Sequence, residues 1–586
     1  MKGFFGKILV IDLTEQTFHE ECVPDSVYRK YLGGKGLGTH LLLKMNEPKV
    51  DPFSAGNHLI FALGPMTGTR IWGSSRYGVY TKSPLTGIYA EAYSGGQVAE
   101  SMSHAGYDAF VLRGISPALT VLEISDREVR FHDARDIAGK DCYETQDLIA
   151  GRIGVDSGTM LVIGPAGEEL VRFAIIANNY WRCAGRTGVG AVMGSKRVKG
   201  IVFHGSRKRE TAHPGEVEEF IREWGRKSKD LPARKPSQIP GAPGMEPPLP
   251  GVFPSRYWRE GGMDGRNSLR AETPDARRSV TPQGCTNCFL PRGKLTTLRE
   301  GEYKGLKLEG PSHGTLHAFS GLCLIQNVDE VLYLNDLCNR LGVDTISAGN
   351  LAGFTIEAAR RGAIREKLEY GDVEGVAGLI RKIARAEGIG ALLARGIRPA
   401  AKEWGLEDLA IHVKGMEPGG YDPRVLKSMA LAYATSDRGA CHTRSTAFNA
   451  ELAGLDPPDQ IEGKARVFID FEDRLTLMDT LIGCHFYNDL YQWEDLGRII
   501  RITTDLEFDQ DGLRRLASDI RNAVRFFNIK EGMQPARDDM LPNRFFDEGI
   551  GKDKRVITRE EFASLLKDYY RLRGWNEEGV PKKPLD

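Results

Sequence analysis

A chain of 586 residues is too long for one hydrophobic core, so two to four domains are expected. Lysine plus arginine and aspartate plus glutamate both number 79, a balance that leaves no field for nucleic acid or a membrane surface. Hydrophobic residues at 41% beside charged residues at 27% exclude a disordered chain, and no run reaches the ~18 apolar residues of a membrane span.

The first apolar run, Ile8-Leu9-Val10-Ile11, lies between Lys7 and Asp12 and reads as a strand. It has neither a twin-arginine pair nor a small-residue cleavage site, so a cytoplasmic location is expected. Glycine, at 68 residues, is well above average and clusters before residue 205 among short β-rich runs such as Leu59-Ile60-Phe61-Ala62 and Met160-Leu161-Val162-Ile163. This predicts a β-rich N-terminal domain over residues 1–207, whose glycine loops let backbone approach a large ligand. The domain also reads as doubled. Gly64-Pro65 leads to Arg76-Tyr77-Gly78-Val79 and Lys82-Ser83, as Gly164-Pro165 leads to Arg186-Thr187-Gly188-Val189 and Ser195-Lys196. A true repeat implies two similar sites for two similar ligands; a chance echo in glycine-rich sequence is the alternative.

A second domain is expected over 208–415. Residues 213–229 carry Val217, Phe220, Ile221 and Trp224 at helical spacing, and 232–266 form a long loop rich in proline and glycine. Residues 328–341, 346–361, 373–387 and 389–404 then show apolar residues three and four apart, as helices require. A third, mostly helical domain is expected over 416–586. The fold class is α+β: a two-part β-rich base followed by two mostly α-helical domains.

Nine cysteines, an odd number, point to ligands or buried thiols rather than a disulfide framework. Cys285-Thr286-Asn287-Cys288 offers two thiolates about one turn apart, suited to zinc, to an iron–sulfur cluster or to a redox dithiol. No second such pair lies nearby, so a further ligand must come from a distance, and Cys484 is the best candidate. Gly33-Gly34-Lys35-Gly36 is a weak phosphate-loop signal, and Gly188 to Lys196 ends Gly-Ser-Lys where a P-loop needs Gly-Lys-Ser/Thr. Arg438-Gly439-Ala440-Cys441-His442-Thr443-Arg444 gathers two arginines suited to phosphate or carboxylate and an imidazole able to move protons; Cys441 reads as a packed thiol.

Taken in order, these stretches resemble the tungstopterin aldehyde:ferredoxin oxidoreductase family. The resemblance rests on Gly64 to Thr69, Ser75 to Val79, Lys82 to Gly87, Ser94 to Gly96, Ala105 to Asp108 and Ala184 to Lys196. It continues through Cys338-Asn339 to Ser347, Asp422-Pro423-Arg424, Ala434 to His442, Asn528 to Gly532 and Asp539 to Pro542. It implies tungsten or molybdenum held by two pterins, magnesium between their phosphates, and a [4Fe–4S] cluster as the electron exit. It also implies a two-sheet N-terminal base for the pterins. Carried over, Arg76, Gly95, Arg182, Cys183 and Gly185 hold the cofactor from the base, and Asn339, Arg444, Asp479 and Gly483 hold it from the other domains. Cys285, Cys288 and Cys484 are the implied iron ligands.

Three departures matter. The family's third cluster cysteine is Arg292 here, and a guanidinium has no lone pair to offer iron. The acidic segment beside the metal reads Pro311-Ser312-His313-Gly314-Thr315, without a glutamate, which leaves His442 or His313 to move protons. Asn339 stands in place of an aspartate, keeping hydrogen bonds and losing charge. No histidine lies between His317 and His412, so the mononuclear iron of some relatives is not expected.

The leading expectation is therefore aldehyde oxidation to a carboxylic acid, or the reverse, with electrons passing to a ferredoxin or an iron–sulfur subunit. The partners expected are a small aldehyde or acid and that electron carrier, with a homodimer or hetero-oligomer compatible and neither nucleic acid nor membrane involved. A class II benzoyl-coenzyme A reductase-like reaction on the same cofactor is one alternative. A non-catalytic paralogue without a cluster is the other.

Overall fold

The computed structural model describes residues 1–231, 251–262 and 277–582. The expected loop over 232–266 therefore lies outside the described residues except for 251–262. Twelve strands build the N-terminal region. They are β1 (Lys7–Asp12), β2 (Thr17–Cys22), β3 (Leu59–Ala62), β4 (Arg76–Lys82), β5 (Tyr89–Gly95) and β6 (Ala109–Arg113), then β7 (Thr120–Ile124), β8 (Val129–Asp133), β9 (Met160–Val162), β10 (Ile176–Asn178), β11 (Arg182–Ala184) and β12 (Val198–Phe203).

They form two six-stranded sheets, ordered β2-β1-β6-β3-β4-β5 and β8-β7-β12-β9-β10-β11. The second order is the first with six added to every strand number. The sense of pairing repeats as well: β1 with β6 and β7 with β12 are parallel, and the remaining neighbours are antiparallel. The doubling is real, but one part of the sequence echo is out of register. Gly64 follows β3 as Gly164 follows β9, whereas Arg76 opens β4 and Arg186 comes after β11.

Period-two alternation places each strand's two faces in different cores. Leu9, Ile11, Leu59 and Phe61 point toward the second sheet and meet Leu161, Ile163, Ile201 and Phe203. Phe110 and Phe203 close this layer with ring centroids 5.0 Å apart. The opposite residues Ile8, Val10, Ile60 and Ala62 pack with Leu475, Leu477, Met478 and Leu481 of the helix Lys464–Leu481. Both faces of the first sheet are thus covered.

Each half of the base receives one helix C-terminus at its glycine–proline turn. A Cβ on Gly64 would stand 2.2 Å from the Leu481 carbonyl oxygen, and one on Gly164 would stand 2.7 Å from the Leu341 carbonyl oxygen. Both helices, Val328–Leu341 and Lys464–Leu481, end on a left-handed residue, Gly342 at φ 78° and Ile482 at φ 59°. Replacing Gly64 with alanine is expected to destabilise the protein by roughly 3 kcal/mol, the upper end of the overpacking range, because the clash is with backbone. Equilibrium unfolding of the variant checks this, and wild-type stability would show that the turn can shift.

The later part is mostly helical, including Pro214–Lys227, Thr345–Arg360 and Val373–Ala384. Two expectations are corrected there. The segment 389–404 is two helices, Ile389–Leu393 and Ile397–Trp404, because Gly396 takes φ 93° and Pro399 has no amide hydrogen to continue the first helix. A three-stranded antiparallel sheet, β13 (Arg278–Gln283), β14 (Gly293–Leu298) and β15 (Lys307–Glu309), also flanks the Cys-x-x-Cys loop. Among the described residues no helix is long and apolar enough to cross a membrane.

Candidate cofactor and active site

The strand ends that meet between the two sheets form the floor of the site. Arg76 and Gly95 are paired across β4 and β5, and Asn178 at the end of β10 donates to the Gly95 carbonyl at 2.8 Å. Arg182 and Cys183 lie on the edge strand β11, with Gly185 just beyond it. Cys183 lies deep in the protein, where burial pushes its thiol up to about 12, and yet its side chain is exposed. Both hold if the side chain faces an internal cavity.

The cysteines gather at one end of this floor. Arg182 donates to the Cys285 sulfur at 2.9 Å, and Arg76 donates to the Cys484 sulfur at 3.7 Å. A Cβ on Gly95 would stand 2.7 Å from the Cys285 sulfur, which explains the glycine. The Tyr487 hydroxyl lies 3.9 Å from the Cys288 sulfur. Burial raises the Cys285 and Cys288 thiols, and Cys484 lies near enough to raise both further. Arg292 reaches the same place: its pKa is lowered by burial, against the influence of Cys484 and Cys288, and its guanidinium lies 5.5 Å over the Phe486 ring. Among the described residues no three His, Cys, Asp or Glu side chains stand together as the ligands of a metal ion. Cysteines at the corners of a cluster are spread wider than the ligands of one ion.

Next to the cysteines is a buried charge network. Arg444 uses one terminal nitrogen for two carboxylates, Asp479 at 2.6 Å and Glu91 at 2.9 Å. Glu91 also pairs with Lys35 at 3.2 Å, and Lys35 reaches Asp437 at 2.6 Å. Asp479 bonds His485 as well, and against the cost of burial Arg444 and His485 hold its carboxyl below the usual range. The remaining Arg444 nitrogens, Nε and Nη2, are buried with no hydrogen-bond partner. The same is true of Arg76 Nε, Arg438 Nε and Asn339 Nδ2. Leaving one buried donor unmade costs about 1–3 kcal/mol. Five such donors fit a ligand rich in anionic and acceptor atoms, as a pair of pterin phosphates is.

His442 and His313 meet on the other side. The Tyr421 ring lies between them, with centroids 5.5 Å from His442 and 5.2 Å from His313. Phe253 packs tilted against His313 with centroids 4.3 Å apart, and Phe448 against Tyr421 at 4.4 Å. Burial, with Arg186, His313, Arg438 and Arg444 nearby, lowers His442 to about 3, so its imidazole is neutral at physiological pH. Beside it, burial raises the Cys441 thiol, but Arg438 and Arg444 outweigh that and bring it to about 7. Asp344 receives Arg186 at 3.2 Å, and a Cβ on Gly185 would stand 3.1 Å from an Asp344 carboxylate oxygen. Gly483 rests against Met478 and Met66.

Sequence reasoning missed Glu91, Lys35, Asp344, Glu417, Tyr421 and Glu309, the last of which fixes Arg182 at 2.8 Å. A partial signal existed for Lys35, inside the glycine run, and for Asp344, five residues after Asn339 as Cys484 is five after Asp479. Glu91 and Glu417 carried none.

Residues 8–205 match the family model described as aldehyde ferredoxin oxidoreductase, N-terminal domain, and residues 248–585 match that described as domains 2 and 3 of the same enzyme. The tungsten-containing aldehyde ferredoxin oxidoreductase of Pyrococcus abyssi is 34% identical over 609 residues, covering all of this chain and 98% of that protein. The aliphatic sulfonate oxidoreductase, WOR-like subunit, of Pyrococcus furiosus is 28% identical, covering all of this chain and 96% of that protein. The solved active site complex BamBC of benzoyl coenzyme A reductase with 1,5-dienoyl-CoA has a TM-score of 0.85 at 24% identity, over 99% of this chain and 96% of that one, a likeness of fold. With both domain models matched in chain order, the chain belongs to the aldehyde ferredoxin oxidoreductase family.

Proposed function

We propose that this protein oxidises an aldehyde to a carboxylic acid, or runs the reverse, on a tungsten bis-pterin, with electrons leaving through an iron–sulfur cluster to a ferredoxin-like partner. The observation that supports it best is the set of five unpartnered buried donors on Arg76, Asn339, Arg438 and Arg444, of which Arg76 also donates to the Cys484 sulfur. Arg76, Gly95, Arg182, Cys183 and Gly185 would hold the cofactor and its magnesium from the base, and Asn339, Arg444, Asp479 and Gly483 from the helices. When bound, the cofactor supplies a two-electron acceptor and a polarising metal.

The chain's own residues supply the rest. Arg76 and Arg182 donate to the Cys484 and Cys285 sulfurs, and positive charge beside a cluster's sulfur ligands raises its potential. Phe253, Tyr421 and Phe448 give the histidine side an apolar wall that excludes water around a small organic substrate. His442, neutral in the resting protein, can accept a proton at a ring nitrogen.

Metal analysis beside aldehyde-dependent dye reduction tests the proposal. Tungsten with activity supports it. Tungsten without aldehyde activity favours another two-electron reaction on the same cofactor, the reading suggested by the absence of a glutamate from Pro311-Ser312-His313-Gly314-Thr315. No tungsten under anaerobic expression with tungstate overturns both. Arg76→Ala is expected to lower tungsten content at least several-fold in folded protein, because its guanidinium serves both the cavity and Cys484. Full occupancy in that variant would remove Arg76 from the site.

A further inference from the structure

Glu417 is a fully buried carboxyl on the loop between Met416 and Tyr421, and nothing in the sequence marks it. Ser347 donates to one of its oxygens at 2.8 Å, and the other, Oε1, is buried with no hydrogen-bond partner. The nearest cation is not spent on it. Arg186 gives one nitrogen to the Glu417 backbone carbonyl and the other to Asp344 at 3.2 Å. The loop is pressed onto His442, since a Cβ on Gly419 would stand 2.2 Å from the imidazole Nδ1. The charged and titratable groups that face Glu417 are Arg186 from the loop after β11, Asp344 from the start of the helix Thr345–Arg360, and Tyr257 from the segment 251–262.

A buried carboxylate with one bare oxygen and no ion pair is unfavourable, whereas the neutral acid leaves a hydroxyl available to donate. We infer that Glu417, two residues before the glycine packed on His442, is kept as a neutral carboxylic acid and serves as the proton-holding residue of the reaction proposed above. Oxidation of R–CHO with water releases two protons and two electrons, the electrons going to the iron–sulfur acceptor class already named. In acid reduction the Glu417 acid gives one of the two protons consumed and solvent gives the other; in aldehyde oxidation the carboxylate left behind takes one proton back and the second leaves to solvent. Burial is the largest influence on the group and raises it, Arg186 opposes, and the balance brings it to about 7, within working range of a proton store. Negative charge brought by a bound anion would raise it further.

The inference rests on the proposed function, but its principal test does not. Infrared difference spectra of the purified enzyme, without substrate, are recorded across a pH series for wild type and Glu417→Gln, an isostere of the neutral acid. The expected result is a protonated-carboxyl C=O band in wild type that fades as pH rises through about 7 and is missing in the variant. A wild type lacking that band at about pH 6, or a variant that keeps it, overturns the inference. In turnover assays Glu417→Gln is expected to lose at least about tenfold in kcat with KM nearly unchanged, and to lose the near-neutral limb of the pH profile. A variant that keeps the limb overturns the assignment. A titrating band in a protein without aldehyde activity would uphold the proton store and reject only the aldehyde reaction.

Discussion

Replacing His442 with alanine is expected to lower turnover by about 10²–10⁴-fold, the range for removing a positioned acid–base group, while leaving tungsten content in place. The expectation follows from where the imidazole sits. It packs against the Tyr421 ring and the Gly419 backbone, and the segment Pro311-Ser312-His313-Gly314-Thr315, whose His313 lies within electrostatic reach, carries no acid. Its pH signature differs from that of an ordinary histidine. With its folded value lowered to about 3, His442 stays neutral down to that point, so it adds no limb to the rate profile near pH 6.5. The linkage sign runs the same way: the unfolded chain takes up a proton below about 6.5 that the folded protein refuses. The stability His442 contributes is therefore present above 6.5 and is lost as pH falls. Steady-state kinetics of His442→Ala and His313→Ala across pH decide between the two imidazoles. Unchanged turnover in the first with a large loss in the second would move the role to His313.

The parts of the molecule legible in the sequence are those whose information is local. The strand at residues 8–11 and the Gly64 and Gly164 turns can be read because alternation and glycine–proline pairs act over a few residues. The cluster thiols could be suggested because cysteine in Cys-x-x-Cys spacing has few other uses. Arg444 was placed in the site from resemblance, but the reason it can serve was not visible. Asp479 and Glu91 come from a helix and a strand nearly 400 residues apart and both take the same terminal nitrogen of its guanidinium, leaving Nε and Nη2 buried without a partner. Glu417 shows the same limit more sharply. Its chemistry comes from a guanidinium diverted to a backbone carbonyl, a choice made by packing and not written in residue spacing. Arg76 and Arg186 mark the opposite error, in which similar short strings stand at different places in the two halves of a genuine repeat.

Iron counting on anaerobically purified protein is expected to find about four irons per chain, held by Cys285, Cys288 and Cys484 with no cysteine at the fourth position. The three thiols come from segments about 200 residues apart, yet each is within electrostatic reach of the others, and two already accept from arginines of the base. Burial raises the Cys285 and Cys288 thiols, so iron must displace protons as it binds there, and loading should improve as pH rises. Arg292 takes the place of the fourth ligand. Its guanidinium cannot bind iron, and its charge beside Cys484 and Cys288 should raise the cluster potential above that of a four-cysteine version. With only Cys285, Cys288 and Cys484 to hold a cluster, one iron would lack a protein thiolate and should be the first lost, so mild oxidation ought to convert part of the sample to a three-iron form with its own paramagnetic signal. Arg292→Cys should suppress that conversion and lower the potential. Iron near zero after anaerobic reconstitution would reject the cluster. A four-iron signal that resists oxidation equally in both proteins would instead mean that a ligand other than residue 292 completes it.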